Sequence, residues 1–405
     1  MNPKLSVVIP VKNNSGTLKS TLKTLLQQDY KPLEIVVSNN SQQDEIKDLI
    51  KKIDDKRIKY LCPKRKLNFS DDWNFALSGV TGEFVTFLGD DDGFMPGAIS
   101  YAMNIFNEKN IDAITWRKLN YNWPNHLIEY ERNILEGQSS QEIQLIDAKK
   151  ALKLSSKFLL GYNQLPCIYN SIVKIKIINK AKSLSPQNKF FNGVIPDVYS
   201  SIVIANLIGK YLYMSFPLTL NGGSEKSSGI ISGLAQHTDS QKEKISDIVN
   251  SGQKYHKDIG PFSSSIASIF LGEFLLAKNN MPELNWPEPS WRLYVLYLRY
   301  ESKGARNSGK ILDAATYTAK ARNMIFFPKK NRKSVFTENS PSYFSGRIRF
   351  PENIIDDVDC ASQIFNDLIP FDKAPTYSSP SSVVKEWILY TISSLLRIYR
   401  LYKLK

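Results

Sequence analysis

The amino-acid sequence predicts an α/β fold, a mostly parallel sheet with flanking helices, followed by a mainly helical C-terminal region. Over residues 5–116, short apolar runs rich in β-branched residues alternate with segments of helical period, which is the pattern of a parallel sheet. Polar and acidic residues follow the strand ends, where open parallel sheets bind ligands. Further along the chain the strand signals fade and the apolar periods become helical.

The first strand and helix illustrate the repeating unit. Residues 5–10, LSVVIP, form a continuous apolar run, as expected for a strand buried on both faces. Ser15 or Thr17 can then cap a helix. The leucines of this helix recur on one face, at Leu18, Leu22, Leu25 and Leu26. We therefore expect the helix to pack on the strand through that apolar stripe.

The same alternation continues along the chain. Further strands are predicted at LEIVVS (33–38), RIKYL (57–61), EFVTFL (83–88) and DAITW (112–116). The helices between them are predicted at DEIKDLIKKI (44–53), SDDWNFALSG (70–79) and PGAISYAMNIF (96–106). A later helix at 196–209 and a strand at 210–220 complete a first domain, predicted to span residues 1–225.

Two further regions are predicted beyond this domain. Residues 226–370 should be a mainly helical accessory region, entered through the Gly/Ser-rich stretch 221–233, which is predicted to be a mobile loop. Residues 371–405 contain a Pro/Ser-rich linker and a terminal amphipathic helix, 383–405. The arginines and aromatic side chains of that helix favour contact with an anionic membrane surface over packing on the protein.

The bulk composition narrows the class of protein. With 42% hydrophobic and 23% charged residues, the chain of 405 residues is globular in type. Its net charge of +14 fits an anionic partner and, equally, a solvated basic surface that only aids solubility. Three dispersed cysteines argue against a disulfide framework or a zinc site. The first apolar run is too short for a signal peptide, and no stretch is long enough to span a membrane. A cytoplasmic protein is expected, with peripheral contact to the inner face of the membrane.

Three consecutive aspartates follow the predicted strand 83–88, in the stretch FLGDDDGFMPG (87–97). A solvated turn that caps the next helix is one interpretation. A divalent cation site is the other, because Mg²⁺ and Mn²⁺ prefer carboxylate oxygens, water and substrate phosphates. The position of the aspartates at the ligand-binding edge of the sheet favours the cation.

Two stretches of the chain together resemble glycosyltransferase family 2. They are residues 5–45, from LSVVIP to the acidic pair DE, and residues 71–99, DDWNFALSGVTGEFVTFLGDDDGFMPGAI. The shared features are a first strand that ends in Ile-Pro, an Asx pair after the second strand, an asparagine before Gly-Glu-Phe, and an aspartate-rich turn of the DxD type. The resemblance implies a nucleotide-sugar-binding fold of the GT-A type and inverting sugar transfer that depends on Mn²⁺ or Mg²⁺.

The resemblance also implies roles for individual residues. Pro10 and Val11 would line the nucleobase pocket, with Asn39 and Asn40 beside the base or ribose, and Asp90 would approach the ribose or the metal. The implied metal ligands are Asp91, Asp92 and, from a loop after the last strand, His237. The cation would bridge the diphosphate of the donor.

Two positions depart from the family pattern. Asn39 and Asn40 stand where aspartate is frequent, and an amide both donates and accepts hydrogen bonds, so the preference for a base stays open. Gly89 stands where the first DxD aspartate often falls, which moves the acidic set one residue later. A glycine there permits a tight turn.

An inverting transfer needs a carboxylate that takes the proton from the acceptor hydroxyl. Asp197 opens the predicted helix 196–209, where the family places this base, although a helix N-terminal aspartate is also favoured by the macrodipole. Glu142 and Asp147 are less well placed alternatives. The candidates for contacts with phosphate or acceptor are Lys226, Ser227 and Ser228.

The sequence thus predicts a metal-dependent inverting glycosyltransferase with a nucleotide-diphosphate sugar as donor, expected to be a UDP-sugar. By analogy with the family, the expected acceptor is a glycan or lipid-linked carrier in surface polysaccharide synthesis, and no nucleic-acid partner is expected. One alternative is a nucleotidyltransferase of similar fold, although VKNNSG after the first strand is not the Gly-rich basic loop of that class. The other is a non-catalytic basic protein that binds membrane or nucleic acid, without a converging acidic cleft.

Overall fold

The computed structural model of the protein describes nearly all of the first 232 residues and shorter stretches beyond them. The described ranges are 2–41, 44–232, 238–239, 241–242, 246, 255–259, 265–302, 308–324, 344–349, 357–368 and 376–377. The predicted metal ligand His237 and the predicted terminal helix 383–405 lie outside the described residues.

Strands and helices alternate through the first half of the chain. The strands are β1 (Leu5–Val11), β2 (Leu33–Asn39), β3 (Ile58–Leu61), β4 (Phe84–Phe87), β5 (Gly93–Phe94), β6 (Ala113–Trp116), β7 (Leu119–Asn122), β8 (Ile134–Ser139), β9 (Glu142–Asp147), β10 (Ser171–Lys174), β11 (Lys210–Met214), β12 (Thr219–Gly223), β13 (Phe344–Arg349) and β14 (Thr376–Tyr377). The helices are α1 (Ser15–Leu26), α2 (Glu45–Ile53), α3 (Phe69–Leu77), α4 (Ala98–Glu108), α5 (Ala148–Ser155), α6 (Ile175–Leu184), α7 (Pro196–Leu207), α8 (Ser228–Ser232), α9 (Ile266–Asn280), α10 (Trp291–Glu301), α11 (Ser308–Ala321) and α12 (Val358–Leu368).

The predicted fold class is confirmed by the larger sheet. Its strand order is β14-β9-β11-β6-β10-β4-β1-β2-β3, with β1 parallel to both β2 and β4 and β3 parallel to β2. The apolar runs that identified β1 and β2 are buried along almost their whole length, because helices cover both faces. The antiparallel β10 lies between β4 and β6, so the sheet is mixed.

A smaller sheet brings the aspartate-rich turn against a later part of the chain. Its order is β13-β8-β7-β12-β5, and β12 pairs with the short β5 that directly follows the aspartates. The prediction of one strand over 210–220 is wrong, because β11 and β12 belong to different sheets. Pro217, which cannot donate to a ladder, lies in the break. The stretch 221–233, predicted as a loop, includes the end of β12 and α8.

The described parts of the C-terminal region include both new helices and additions to the first sheets. Helices α9, α10 and α11 share an apolar core, while β13 and β14 pair with β8 and β9. Helix α12 packs on α1, where Asp359 forms an ion pair of 2.8 Å with Lys23 and Asp357 accepts a hydrogen bond of 2.9 Å from Ser20. The domain division at 225 stays a prediction. Among the described helices, none is long and apolar enough to cross a membrane.

Glu34 ties the amino ends of β1 and β2 to the turn before β4. Its carboxylate accepts hydrogen bonds from Ser6, Thr81 and Lys4. Burial alone would raise the pKa of Glu34, but these hydrogen bonds outweigh it and lower the pKa to about 2. The stabilisation is therefore present above the ordinary glutamate value and is lost as the pH falls through about 2.

Glu34→Gln should lower the free energy of unfolding by about 1–3 kcal/mol at neutral pH, because hydrogen bonds to a buried charged acceptor are lost or weakened. Urea unfolding of both proteins at pH 7 and at pH 3 measures this, and the difference should shrink at the lower pH. Glu83→Gln, at an exposed glutamate on the same turn, is the matched control and should change little. A pH-independent difference would contradict the assignment.

Candidate active site

The carboxyl ends of β1 and β2 meet where the sequence predicts the nucleobase pocket. Pro10 and Val11 end β1, and the Val11 carbonyl accepts a hydrogen bond of 2.9 Å from the Asn40 backbone N–H. The Asn40 side chain clasps the backbone of Leu67, accepting from its N–H and donating to its carbonyl, each at 2.9 Å. The predicted pocket residues are therefore neighbours at one edge of the sheet.

The Asn39 amide is engaged within the protein as well. Its Oδ1 accepts from the backbone N–H and the hydroxyl of Ser41, and its Nδ2 donates to the Tyr60 hydroxyl at 3.0 Å. These hydrogen bonds of Asn39 and Asn40 thus shape the loops behind the edge. An incoming base would meet amides whose orientation is already fixed.

Asp72 is a buried carboxyl at this edge that the sequence did not single out. It lies in the first turn of α3, is 6% exposed, and its Oδ1 has no hydrogen-bond partner in the structure. Burial raises the pKa of Asp72 to about 7, against opposing effects of Lys12 and Asn40. Only the fold brings these three residues together, because they follow or precede different strands.

The aspartate-rich turn follows β4 and is held by α1. Asp90 accepts a hydrogen bond of 3.0 Å from the Asn14 amide, and its carbonyl accepts one of 3.1 Å from Thr21. The Asp91 carbonyl accepts from the Trp123 indole at 2.9 Å. The turn is therefore fixed on both sides by residues from distant parts of the chain.

The Asp91 carboxylate contacts the loop between β12 and α8. Its Oδ2 accepts hydrogen bonds from the Ser224 hydroxyl at 2.6 Å and from the Ser227 hydroxyl. Lys226 of the same loop donates to the Asn13 carbonyl at 2.6 Å. Lys226 and Ser227, which are predicted to contact phosphate or acceptor, thus lie in a loop that contacts both the turn and the segment after β1.

The Asp92 carboxylate holds the turn together and connects it to β12. It accepts hydrogen bonds from the backbone N–H of Gly89 at 3.0 Å and of Gly222 at 2.7 Å, and from the Tyr169 hydroxyl. Burial, together with the charge of Asp91, raises the pKa of Asp92 to about 6. These contacts support a role for Asp92 in holding the turn on β12, whereas its predicted role as a metal ligand stays a prediction.

The departure at Gly89 has a packing reason. A Cβ at this position would lie 2.1 Å from the Tyr169 hydroxyl oxygen and 2.9 Å from Asp92 Oδ2. The Tyr169 hydroxyl therefore occupies the space that a side chain at position 89 would need. Sequence reasoning missed Tyr169, since it lies 80 residues further along the chain in a segment without regular period.

Gly89→Ala and Tyr169→Phe should each destabilise the protein, but their effects should not add. The phenylalanine removes the oxygen that the new methyl group would strike, so the double variant should lose less than the sum of the two single losses. Urea unfolding of the four proteins gives the coupling free energy. If the two losses in the free energy of unfolding add, the Tyr169 hydroxyl is not the reason why position 89 needs a glycine.

Asp197 lies in the first turn of α7, and Pro196 begins that helix. Burial raises the pKa of Asp197, and the charge of Lys118 opposes this effect. Lys118 also lies over the Tyr169 ring, with its Nζ 4.6 Å from the centroid, and Tyr169 donates to Asp92. Lys118 therefore acts on Asp197 through its charge and contacts Tyr169, which is hydrogen-bonded to the aspartate-rich turn.

The alternative carboxylates have structural roles. Asp147 caps α5 by accepting a hydrogen bond of 2.9 Å from the Lys150 backbone N–H. Glu142 begins β9 and accepts a hydrogen bond of 3.2 Å from the Gln144 amide. These contacts favour Asp197 over both of them as the candidate base.

The oxygen atoms of the turn suit a hard divalent cation. Mg²⁺ sites on phosphate substrates often use one or two carboxylates, with water and phosphate supplying the other ligands. Asp90 and Asp91 offer such a set. Within the part of the chain that the structure describes, no group of three His, Cys, Asp or Glu side chains could hold a metal by itself. The turn therefore fits a cation whose remaining ligands come from the substrate and from water.

A model of a known family matches this part of the chain. The model is described as "Glycosyl transferase family 2" and covers residues 6–165, which include the sheet edge and the aspartate-rich turn. Residues 6–165 are a glycosyltransferase family 2 domain. The predicted family and enzyme class are confirmed for this domain, while Asp197 and the helical region lie beyond the matched residues.

Named relatives share the family 2 domain. A Campylobacter jejuni protein named GalNAc(5)-diNAcBac-PP-undecaprenol beta-1,3-glucosyltransferase is 40% identical over 109 residues, 26% of this chain and 35% of its own. An Escherichia coli UDP-Glc:alpha-D-GlcNAc-diphosphoundecaprenol beta-1,3-glucosyltransferase is 29% identical over 109 residues, 26% of this chain and 43% of its own. The chain thus spans less than half the length of these relatives.

A solved structure aligns with much of the chain. TarS residues 1–349 from S. aureus, in complex with UDP-GlcNAc, aligns with a TM-score of 0.44 and 13% identity, over 84% of this chain and 99% of that one.

Proposed function

We propose that the protein is a metal-dependent inverting glycosyltransferase that takes a sugar from a nucleotide-diphosphate donor. The observation that carries the proposal is the link between the aspartate-rich turn and Asp197: Asp92 is hydrogen-bonded to Tyr169, Lys118 lies over the Tyr169 ring, and the charge of Lys118 acts on Asp197. It joins a turn suited to a cation with a carboxyl suited to accept a proton. A binding protein has no need of such a pair.

The donor is expected to bind at the carboxyl ends of β1, β2 and β4. Pro10, Val11, Asn39 and Asn40 would border the nucleobase, with the aspartate-rich turn on the diphosphate side. A UDP-sugar is the expected donor, because the name of the E. coli relative includes UDP-Glc. Because the amides of Asn39 and Asn40 are engaged, their part is to shape the pocket wall.

Asp90 and Asp91 are the residues that would hold a Mn²⁺ or Mg²⁺ ion, with Asp92 fixing the turn beneath them and His237 a further predicted ligand. When bound, such an ion neutralises the charge that develops on the departing diphosphate. The hydroxyls of Ser224 and Ser227 now donate to Asp91 Oδ2. They would have to turn toward other acceptors when a cation approaches that oxygen.

Asp197 would act on the acceptor. Its carboxylate would take the proton from the attacking hydroxyl while the new glycosidic bond forms and the bond to the nucleoside diphosphate breaks. Attack on the face opposite the leaving group inverts the configuration at the anomeric carbon. Burial raises the pKa of Asp197, and the charge of Lys118 opposes this shift by favouring the ionised form that can accept a proton.

The acceptor is expected to be lipid-linked. The names of both relatives contain an undecaprenol diphosphate carrier, and a net charge of +14 suits an anionic membrane or diphosphate. Contact with the membrane through residues 383–405 remains part of this proposal.

A thermal-shift panel tests the donor. UDP and UDP-sugars should raise the melting temperature, and Mn²⁺ should increase the shift, because a ligand that binds only the folded state stabilises it in proportion to ln(1 + [L]/Kd). GDP, CDP and ADP test the preference for uracil. Stabilisation only by nucleoside triphosphates, with release of pyrophosphate on turnover, would favour a nucleotidyltransferase instead.

A further inference from the structure

A buried glutamate in the helical region holds the loop that leads to Asp197. Glu273 lies on α9 and is 0% exposed. Its Oε1 accepts hydrogen bonds from the backbone N–H of Val194 at 3.0 Å and of Ile195 at 2.8 Å, and from the Tyr255 hydroxyl at 2.7 Å. Two backbone donors just before α7 are thus satisfied by a side chain from beyond the family 2 domain.

The same loop is held from the opposite side by α3. Ser70 donates to the Gly193 carbonyl at 2.5 Å, and the Asn74 amide donates to the Phe191 carbonyl at 2.7 Å. Gly193 is needed for the close approach of α9, because a Cβ there would lie 1.8 Å from Glu273 Oε2. The loop is therefore clamped between the family 2 domain and α9, two residues before Asp197.

The charge state of Glu273 matters to Asp197. Burial, with a smaller contribution from the charge of Asp197, raises the pKa of Glu273 to about 8, against the hydrogen bonds from Tyr255, Ile195 and Val194. Its Oε2 has no hydrogen-bond partner in the structure. At neutral pH Glu273 therefore holds a proton and places no second negative charge beside Asp197.

We propose that Glu273 is a positioning residue for sugar transfer: its carboxyl accepts hydrogen bonds from the backbone of Val194 and Ile195 and so fixes the loop that places Asp197 toward the acceptor. This inference rests on the proposed role of Asp197 as the base. It makes α9, which lies outside the matched residues 6–165, a part of the catalytic unit.

Variants of the full-length protein test the inference by turnover, donor KM and pH profile. Glu273→Ala should lower kcat by about 10- to 100-fold with donor KM nearly unchanged, because a displaced catalytic group costs turnover rather than donor binding. Glu273→Gln keeps the accepting oxygen and the neutral state, so its kcat at pH 7 should stay close to that of the unmodified protein. It should also abolish the fall in kcat that ionisation of Glu273 causes above about pH 8.

A matched control is Glu301→Gln. Glu301 also accepts from a hydroxyl and a backbone N–H, those of Ser265 and Ile266, but at the start of α9. It should leave kcat and the pH profile unchanged. If Glu273→Ala does not fold, Gly193→Ala offers a second variant: its methyl group would push the loop away from Glu273 and should give the same fall in kcat.

Two results separate this inference from the proposed function. If Asp197→Asn retains full turnover, the proposed base is wrong. If Asp197→Asn is inactive but Glu273→Gln keeps the alkaline fall in kcat, or neither Glu273→Ala nor Gly193→Ala lowers kcat, the role of Glu273 is refuted.

Discussion

Asp197→Asn should lower the rate of sugar transfer by about 10²- to 10⁴-fold, the share of catalysis usually supplied by a general base. Asparagine keeps the shape and the position in the first turn of α7 but cannot take the proton. Donor affinity should hardly change, because the nucleotide and metal contacts are expected at the ends of β1, β2 and β4. Turnover measured beside donor binding by calorimetry separates the two effects.

The control for this variant is Asp147→Asn. Asp147 is also a helix-terminal aspartate, and it caps α5 through Lys150. Its replacement should cost some stability and leave the rate of transfer nearly unchanged. Near-normal turnover in Asp197→Asn would remove Asp197 from the mechanism, and an equal loss of donor affinity would reassign it to the donor site.

Asp91→Ala should abolish the part of nucleotide binding that depends on Mn²⁺. The Asp91 carboxylate contacts the Ser224 and Ser227 hydroxyls. The turn itself is held by Asp92, through its hydrogen bond from Gly222. The fold should therefore survive while the thermal shift with UDP no longer responds to Mn²⁺. The measurement is a titration of UDP with and without Mn²⁺ for both proteins.

Ser224→Ala provides the comparison. It removes a hydrogen bond to Asp91 Oδ2 but leaves the carboxylate, so the response to Mn²⁺ should persist. An undiminished response to Mn²⁺ in Asp91→Ala would refute the assignment of Asp91 as a ligand. A loss in both variants would point to the loop that contains Ser224 instead.

Most of the larger sheet could be predicted from the sequence, because its strands are buried on both faces. Such strands appear as continuous apolar runs, and β1, β2, β4 and β6 were found in this way. Strand β10 was missed, since it follows a stretch without a regular period. The division between β11 and β12 was missed because strand pairing over long distances in the chain leaves no local signal.

The site was predictable where it lies in short motifs and not where it depends on tertiary contacts. The aspartates and Asn40 follow strands, so their common edge follows from the parallel topology. Tyr169 and Lys118 reach the site from segments without a motif, and Glu273 contacts the loop before Asp197 from another region. Asp72 lies within the stretch 71–99, but nothing in the sequence indicates its burial. Their roles follow from burial and hydrogen bonding, which become visible only in three dimensions.

The position of β10 limits which part of this chain could be transferred to another protein by recombination and still fold. The matched family segment ends at residue 165, but β10, at Ser171–Lys174, lies between β4 and β6 in the middle of the sheet. A fragment cut at 165 would lack β10, β11 and β14, so β4 would have one unpaired edge and β6 and β9 would each have two, and open edges invite aggregation. Recombination that preserves the centre of this sheet must therefore carry the chain at least through β11, and the catalytic unit proposed above extends further, to α9. By the same reasoning, recombination that transfers only the matched segment 6–165 should seldom yield a folded protein.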